Sequence, residues 1–138
     1  MSKIYIQGTF GAYSHLAALE IDPNAEVIPC KTFDECFLKV SSENGCRMVI
    51  PESNRITGNI GIEYLIFKYR LNIYAEHFQK IEHNLLGQPG TSLNDITDVF
   101  SHTQGLSQCS NFIKSNNFVE HIRADTAGSA EAISKKKI

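Results

Sequence analysis

Long apolar runs are missing from this chain. No stretch approaches the roughly 20 residues needed to cross a bilayer, and the opening "MSKIYIQGTFGAYSH" has no apolar core followed by a small-residue cleavage site. The expectation is a soluble, cytoplasmic protein with no membrane partner. Basic runs are equally scarce: "SKKKI" at the end is the only Lys cluster, it reads as a solvated helix end, and the formal net charge is −2, so no nucleic-acid groove is expected. Cysteine is present without metal or disulfide spacing. Cys30, Cys36, Cys46 and Cys109 form no Cys-x-x-Cys pair and read as core thiols, with no metal site. Low-complexity segments and solenoid repeats are absent too. What is left is a chain of 138 residues, enough for one domain or two small lobes with a real core.

Strand and helix signals alternate along it. "KIYIQG" reads as a strand closed by Gly8, "SHLAALEI" as a helix with Ser14 as its N-cap, and "AEVIPC" as a second strand. Thr32 and Glu35 form a capping box ahead of Phe33, Cys36, Phe37 and Val40, an i, i+3, i+4, i+7 stripe. "CRMVIP" is a third strand and "ESNRITGN" a polar loop; Ile62, Leu65, Ile66 and Tyr69 mark a third helix. This βαβαβα order is that of a parallel sheet covered by helices. The segment "LNIYAEHFQKIEHNLLG", residues 71–87, then alternates with period two and is long for one strand, as expected of a strand that crosses between lobes. After the turn-rich "GQPGTSLND" come strand "DVFSH", helix "TQGLSQCSNFIKSN", strand "FVEHIRA" and an Ala-rich helix starting at Asp125 or Thr126. Two α/β lobes are expected, 1–74 and an incomplete 75–138.

Two Ser-His pairs, Ser14-His15 and Ser101-His102, and the stretch "DTAGSA" at 125–130 all fall where a strand ends and a helix begins. Free backbone N–H groups and the positive end of the helix dipole point outward there. Ser14, Ser101 and Thr126 can cap their helices and still present a hydroxyl or N–H to a carboxylate, while Gly8, Gly11 and Gly128 allow close approach of a ligand. Ser101 and Gln104 also fit a capping box, so a purely structural role stands beside an anion-binding one. His77 and His83 share a strand face but lie too far apart along an extended strand to hold one metal ion. Adjacent Ser101 and His102 do not aim at each other as nucleophile and base.

The motifs "GTFGAYSHLAA", "VIPESNRITGNI", "AEHFQKIEHNLLG", "FSHTQGLSQC" and "DTAGSA" together resemble, in order and spacing, the catalytic domain of prephenate dehydratase. The resemblance implies a two-lobed α/β fold like the type II periplasmic binding proteins, with substrate between the lobes. It implies the loss of hydroxyl and carboxylate from prephenate, a small dicarboxylate, giving phenylpyruvate, carbon dioxide and water in phenylalanine biosynthesis. No cofactor is implied. It places Ser101, His102 and Gln104 in the cleft with Asn54 and Thr126, and makes the turn around Gly11, Tyr13 and Ser14 a wall of the pocket. Clamping two carboxylates and protonating the leaving hydroxyl suffice for such chemistry, and a positioned proton donor contributes about 10²–10⁴ in rate.

The resemblance has two departures. The family reads Pro-x-Glu-Asn-Ser-x-x-Gly after the third strand, whereas Pro51, Asn54 and Gly58 are kept here with Ser53 in the Glu place and Arg55 in the Ser place. Arg55 is expected to meet a ligand carboxylate or an acidic partner. The Thr-Arg-Phe motif whose Thr the family uses as proton donor belongs beyond "DTAGSA" and is not within these residues. The resemblance likewise leads us to expect the fold's C-terminal return segment and a phenylalanine-sensing ACT domain outside these residues. Exposed apolar surface and an unpaired strand edge are then expected to drive a homodimer, domain-swapped or not, with negligible turnover by these residues alone. A non-catalytic carboxylate-binding module and an arogenate dehydratase are the alternative readings.

Overall fold

The computed structural model describes residues 2–54 and 58–136, and the chain divides into two compact units, Met1–Ile81 and Glu82–Ile138. No described helix is long and apolar enough to cross a membrane.

The first unit is built around strand β1 (Lys3–Gln7), which pairs in parallel with β2 (Glu26–Cys30) on one side and β3 (Arg47–Val49) on the other. The period-two pattern of β1 sorts the core. Ile4 and Ile6 turn to one face, against Ala18 of helix α1 (Tyr13–Ile21) with Val27 and Val49. Tyr5 turns to the other, against Cys36 of α2 (Phe33–Ser42) with Cys30, Ile28, Val40 and Met48. Helices on both faces of a parallel sheet are what the βαβαβ order requires. Thr32 caps α2 by accepting the Glu35 N–H at 3.2 Å, while the Glu35 carboxylate takes the Lys31 N–H at 2.8 Å, one residue earlier than a standard capping box. Phe37 is fully buried and its ring meets Tyr69 at 5.9 Å. Tyr69 follows α3 (Glu63–Lys68), whose Leu65, with Ile62 just before it, is buried as the stripe predicted.

Glu43 follows α2 and accepts from Lys3 Nζ and the Tyr5 hydroxyl, each at 2.5 Å. These partners hold its carboxyl down at about 2, and the same bond pushes the Tyr5 phenol up to about 12. Asp22 is lowered by the Ser2 hydroxyl and by Arg47. All four cysteines are free thiols: Cys30 and Cys36 are buried, Cys46 and Cys109 half-buried, and burial with the neighbouring Cys30 pushes the Cys36 thiol up.

Within the "ESNRITGN" stretch β4 (Ser53–Asn54) pairs antiparallel with β5 (Gly58–Asn59). The long strand expected over 71–87 is not formed. Its alternation fixes which side chains share a side, but a strand also needs a neighbour for its N–H and C=O groups, and no described strand pairs with it. It is tethered instead through side chains, Tyr74 on Arg47 and His77 Nε2 on Glu20 at 3.0 Å, with Tyr74 and Phe78 exposed.

In the second unit β6 (Asp98–Ser101) lies parallel to β7 (Val119–Ile122), with Phe100 opposite His121. The crossover, expected as one helix, is two: α4 (Thr103–Gln108) and α5 (Ser110–Ser115). They meet at Cys109, whose N–H is shared at 3.1 Å between the carbonyls of Gly105 and Leu106, a local tightening toward 3₁₀ geometry. Val99, Leu106 and Ile113 still align as one buried row. The Ala-rich helix is α6 (Thr126–Ser134), and Gln88 bonds the Ile133 carbonyl near its end.

Candidate functional site

Two of the three strand-to-helix junctions come together in the second unit. Ser101 is the last residue of β6, and pairing continues past it: the Arg123 N–H donates to its carbonyl at 2.9 Å. Its backbone is therefore strand, and the expected cap at Ser101 is displaced one residue on. His102 is the N-cap of α4, its Nδ1 accepting the Gln104 N–H at 3.2 Å. Thr126 is likewise not a cap. Asp125 holds the extended cap geometry and its carboxylate, a stronger acceptor than a hydroxyl, takes the Gly128 N–H. Both hydroxyls are thereby released from capping, and they bond each other, Ser101 Oγ to Thr126 Oγ1, at 2.9 Å. Gly105 leaves the room for this: a Cβ there would stand 2.8 Å from Ser101 Oγ and 3.4 Å from Thr126 Oγ1.

The other sheet face carries a column that the sequence reading missed. Phe100 stacks on His121 with centroids 4.5 Å apart, His121 Nε2 lies 2.6 Å from Asp98 Oδ1, and the Arg123 guanidinium sits over the Phe100 ring at 5.4 Å. The Thr97 hydroxyl and then His121 lower the Asp98 carboxyl. Period-two spacing hinted at it, since positions 98 and 100 share a face, but only the β6–β7 register brings His121 and Arg123 alongside.

The third junction belongs to the first unit. Gly8 closes β1 with φ 112° and donates its N–H to the Cys30 carbonyl at 2.9 Å; Gly11 has φ 87°. Both angles suit glycine. This turn starts the helix early: α1 begins at Tyr13 after Ala12, so Ser14 lies inside the first turn and is not the cap. The backbone N–H of Gly11 donates to His15 Nδ1 at 3.0 Å, and Phe10, exposed, sets its ring against the His15 ring at 5.1 Å and 72°. Asn54 pairs through its backbone with Gly58 in the β4–β5 hairpin. Arg55 lies outside the described residues. Thus Ser101, His102, Gln104 and Thr126 are neighbours in one unit, while Gly11, Tyr13, Ser14 and Asn54 are in the other. His77 and His83 fall in different units, bonded to Glu20 and Gln108 respectively. Among the described residues no three His, Cys, Asp or Glu side chains are grouped to hold a metal ion.

The family described as prephenate dehydratase matches residues 4–138. The chain belongs to the prephenate dehydratase family. Among curated members it is 40% identical over 134 residues to arogenate dehydratase/prephenate dehydratase 1, chloroplastic, of Arabidopsis thaliana, covering 96% of this chain and 34% of that one. The chain spans about a third of the length of such plant relatives. Among solved structures it is similar to GqqA, described as a novel type of quorum quenching acylase, at 32% identity and TM-score 0.79, covering 95% of this chain and 48% of that one. The prephenate dehydratase of Arthrobacter aurescens in complex with L-Phe shares the fold, with TM-score 0.72 at 19% identity, 95% of this chain and 45% of that one. The α/β fold with parallel strands is that of this family.

Proposed function

We propose that this chain is part of a dehydratase that converts prephenate to phenylpyruvate. In that reaction the electron pair of the breaking carbon–carboxylate bond moves into the ring, the ring hydroxyl leaves with a proton as water, and carbon dioxide is released. Aromatisation drives the step, so the protein's work is to bind the two carboxylates and assist the departing hydroxyl. The observation that carries the reading is the Ser101–Thr126 hydrogen bond, which joins two sequence-distant family motifs at the end of β6 and the start of α6. The two hydroxyls there, that of Ser101 next in sequence to His102, can donate to an anionic oxygen.

In this reading each unit is a lobe of a type II periplasmic-binding-protein-like fold. Gly11, Tyr13, Ser14 and Asn54 then serve from one lobe and Ser101, His102, Gln104 and Thr126 from the other. Arg55 adds a guanidinium for a substrate carboxylate, and Arg55→Ser is expected to raise the Michaelis constant. Arogenate is the second substrate to consider, because the Arabidopsis and Petunia relatives carry arogenate dehydratase in their names. Acyl transfer is disfavoured here: Ser101 Oγ bonds Thr126, and His102 Nδ1 is taken by a backbone N–H. An ultraviolet assay with prephenate and arogenate in parallel tests the proposal. Phenylpyruvate from prephenate supports it, phenylalanine from arogenate alone moves the substrate, and tight binding without product leaves a binding module.

A further inference from the structure

The chain has five histidines, and the structure separates them into two kinds. His77, His83 and His121 spend Nε2 on a protein partner, Glu20 at 3.0 Å, Gln108 at 2.7 Å and Asp98 at 2.6 Å. His15 and His102 do the reverse. Each uses Nδ1 to accept a backbone N–H beside the start of a helix, from Gly11 at 3.0 Å and from Gln104 at 3.2 Å. An Nδ1 that accepts a hydrogen bond carries no proton, so the bonding assigns the neutral tautomer with hydrogen on Nε2. In both, Nε2–H meets no hydrogen-bond partner among the described residues. These are the two histidines that follow Ser14 and Ser101, in the two junction motifs.

We infer that His15 is a substrate-binding residue, a neutral Nε2–H donor to a carboxylate oxygen. The inference rests on the dehydratase reading above. A protonated Nε2 has no lone pair for a metal or for a donor, so its complement is an acceptor, and a charged oxygen is the strongest. The neighbouring Phe10, 59% exposed, sets its ring at 72° to the imidazole with centroids 5.1 Å apart. An exposed aromatic face beside a fixed donor suits a ligand with an unsaturated ring that bears a carboxylate, as prephenate does. The Gly11 N–H bond fixes the ring plane and tautomer before any ligand arrives, so no ordering of this side chain is left for binding to supply.

A pair of substitutions separates donor from turn-former. In His15→Asn the amide oxygen stands where Nδ1 was and keeps the Gly11 bond, but nothing occupies the Nε2 place. In His15→Gln the amide nitrogen reaches the Nε2 place and the Nδ1 acceptor is lost. Calorimetric titration of the intact protein with prephenate should show binding weakened about ten- to a hundredfold in His15→Asn and largely restored in His15→Gln. The opposite order, with Asn like the parent and Gln impaired, would overturn the inference while leaving the dehydratase reading in place. If the parent binds no prephenate, the dehydratase reading falls and this one with it. Long-range ¹⁵N–¹H spectra of the imidazoles give a readout independent of binding, in which a proton found on Nδ1 of His15 also overturns it.

Discussion

Ser101 and Thr126 stand 25 positions apart in sequence and share a hydroxyl–hydroxyl bond of 2.9 Å. Neither is a helix cap, and that is why the bond exists: His102 and Asp125 take over the capping, and the hydroxyls at the end of β6 and the start of α6 are left to each other.

Ser101→Ala and Thr126→Val are each expected to lower the stability of the second unit by about 0.5–1 kcal/mol, the lower range for a hydrogen bond open to solvent. The double variant should lose less than the sum, because either single change already breaks the bond. Urea midpoints of the four proteins measure this; strict additivity would mean that the pair holds nothing together.

Phe37→Ala should be severe. The ring is fully buried and packs against Tyr69, so its removal deletes apolar contact and leaves a cavity, at a cost of about 3–5 kcal/mol. Chemical denaturation followed by far-ultraviolet dichroism should show the first unit losing most of its resistance, with the second unit's transition unmoved.

Acid should loosen the first unit only as pH falls below the ordinary carboxylate range. The Glu43 carboxyl lies at about 2, held there by Lys3 and then Tyr5, against an ordinary value of about 4.3. A depressed folded-state value means stability present above the unfolded value and lost as pH falls from about 4.3 toward 2. On the alkaline side Tyr5 is raised to about 12 from about 10, so its contribution is present below 10 and lost as pH rises through that interval. Thermal melts across pH should show both limbs. Glu43→Gln should flatten the acid one and Tyr5→Phe the alkaline one, and unchanged limbs would remove Glu43 from the account.

Self-association is the fourth expectation. Phe67 is 86% exposed, Phe78 87%, and Ile73 and Tyr74 are exposed near Phe78, while no described strand pairs with residues 71–88. Exposed apolar side chains on a segment outside the described sheets favour a second copy. Light scattering at micromolar concentration should give twice the chain mass, and Phe78→Ser should shift it toward one. A clean monomer in the parent overturns the expectation.

What could be read beforehand was whatever a local period encodes. Strand β1 and the Phe33–Val40 stripe with its Thr32 cap follow from spacing alone. Residues 71–87 were misread because alternation says which side chains share a side and nothing about whether a partner strand is at hand. Ser14 and Ser101 were misread as caps because residue type cannot report where strand pairing stops or where a glycine turn starts a helix early. The Phe100–His121–Arg123 column depends on the register between two strands, and the Nδ1 bonds of His15 and His102 on side-chain torsions. Neither is written in any window of sequence.

Strand β1 sends Ile4 and Ile6 to the α1 face and Tyr5 to the α2 face, where its hydroxyl reaches Glu43. A slip of one residue against β2 and β3 would exchange these assignments, carrying a phenol into the aliphatic layer under α1 and taking the donor away from Glu43. The penalty of such an error is therefore charged on both sides of the sheet at once, so that a single tyrosine proofreads the alignment of the strand on which both layers of the first unit are laid.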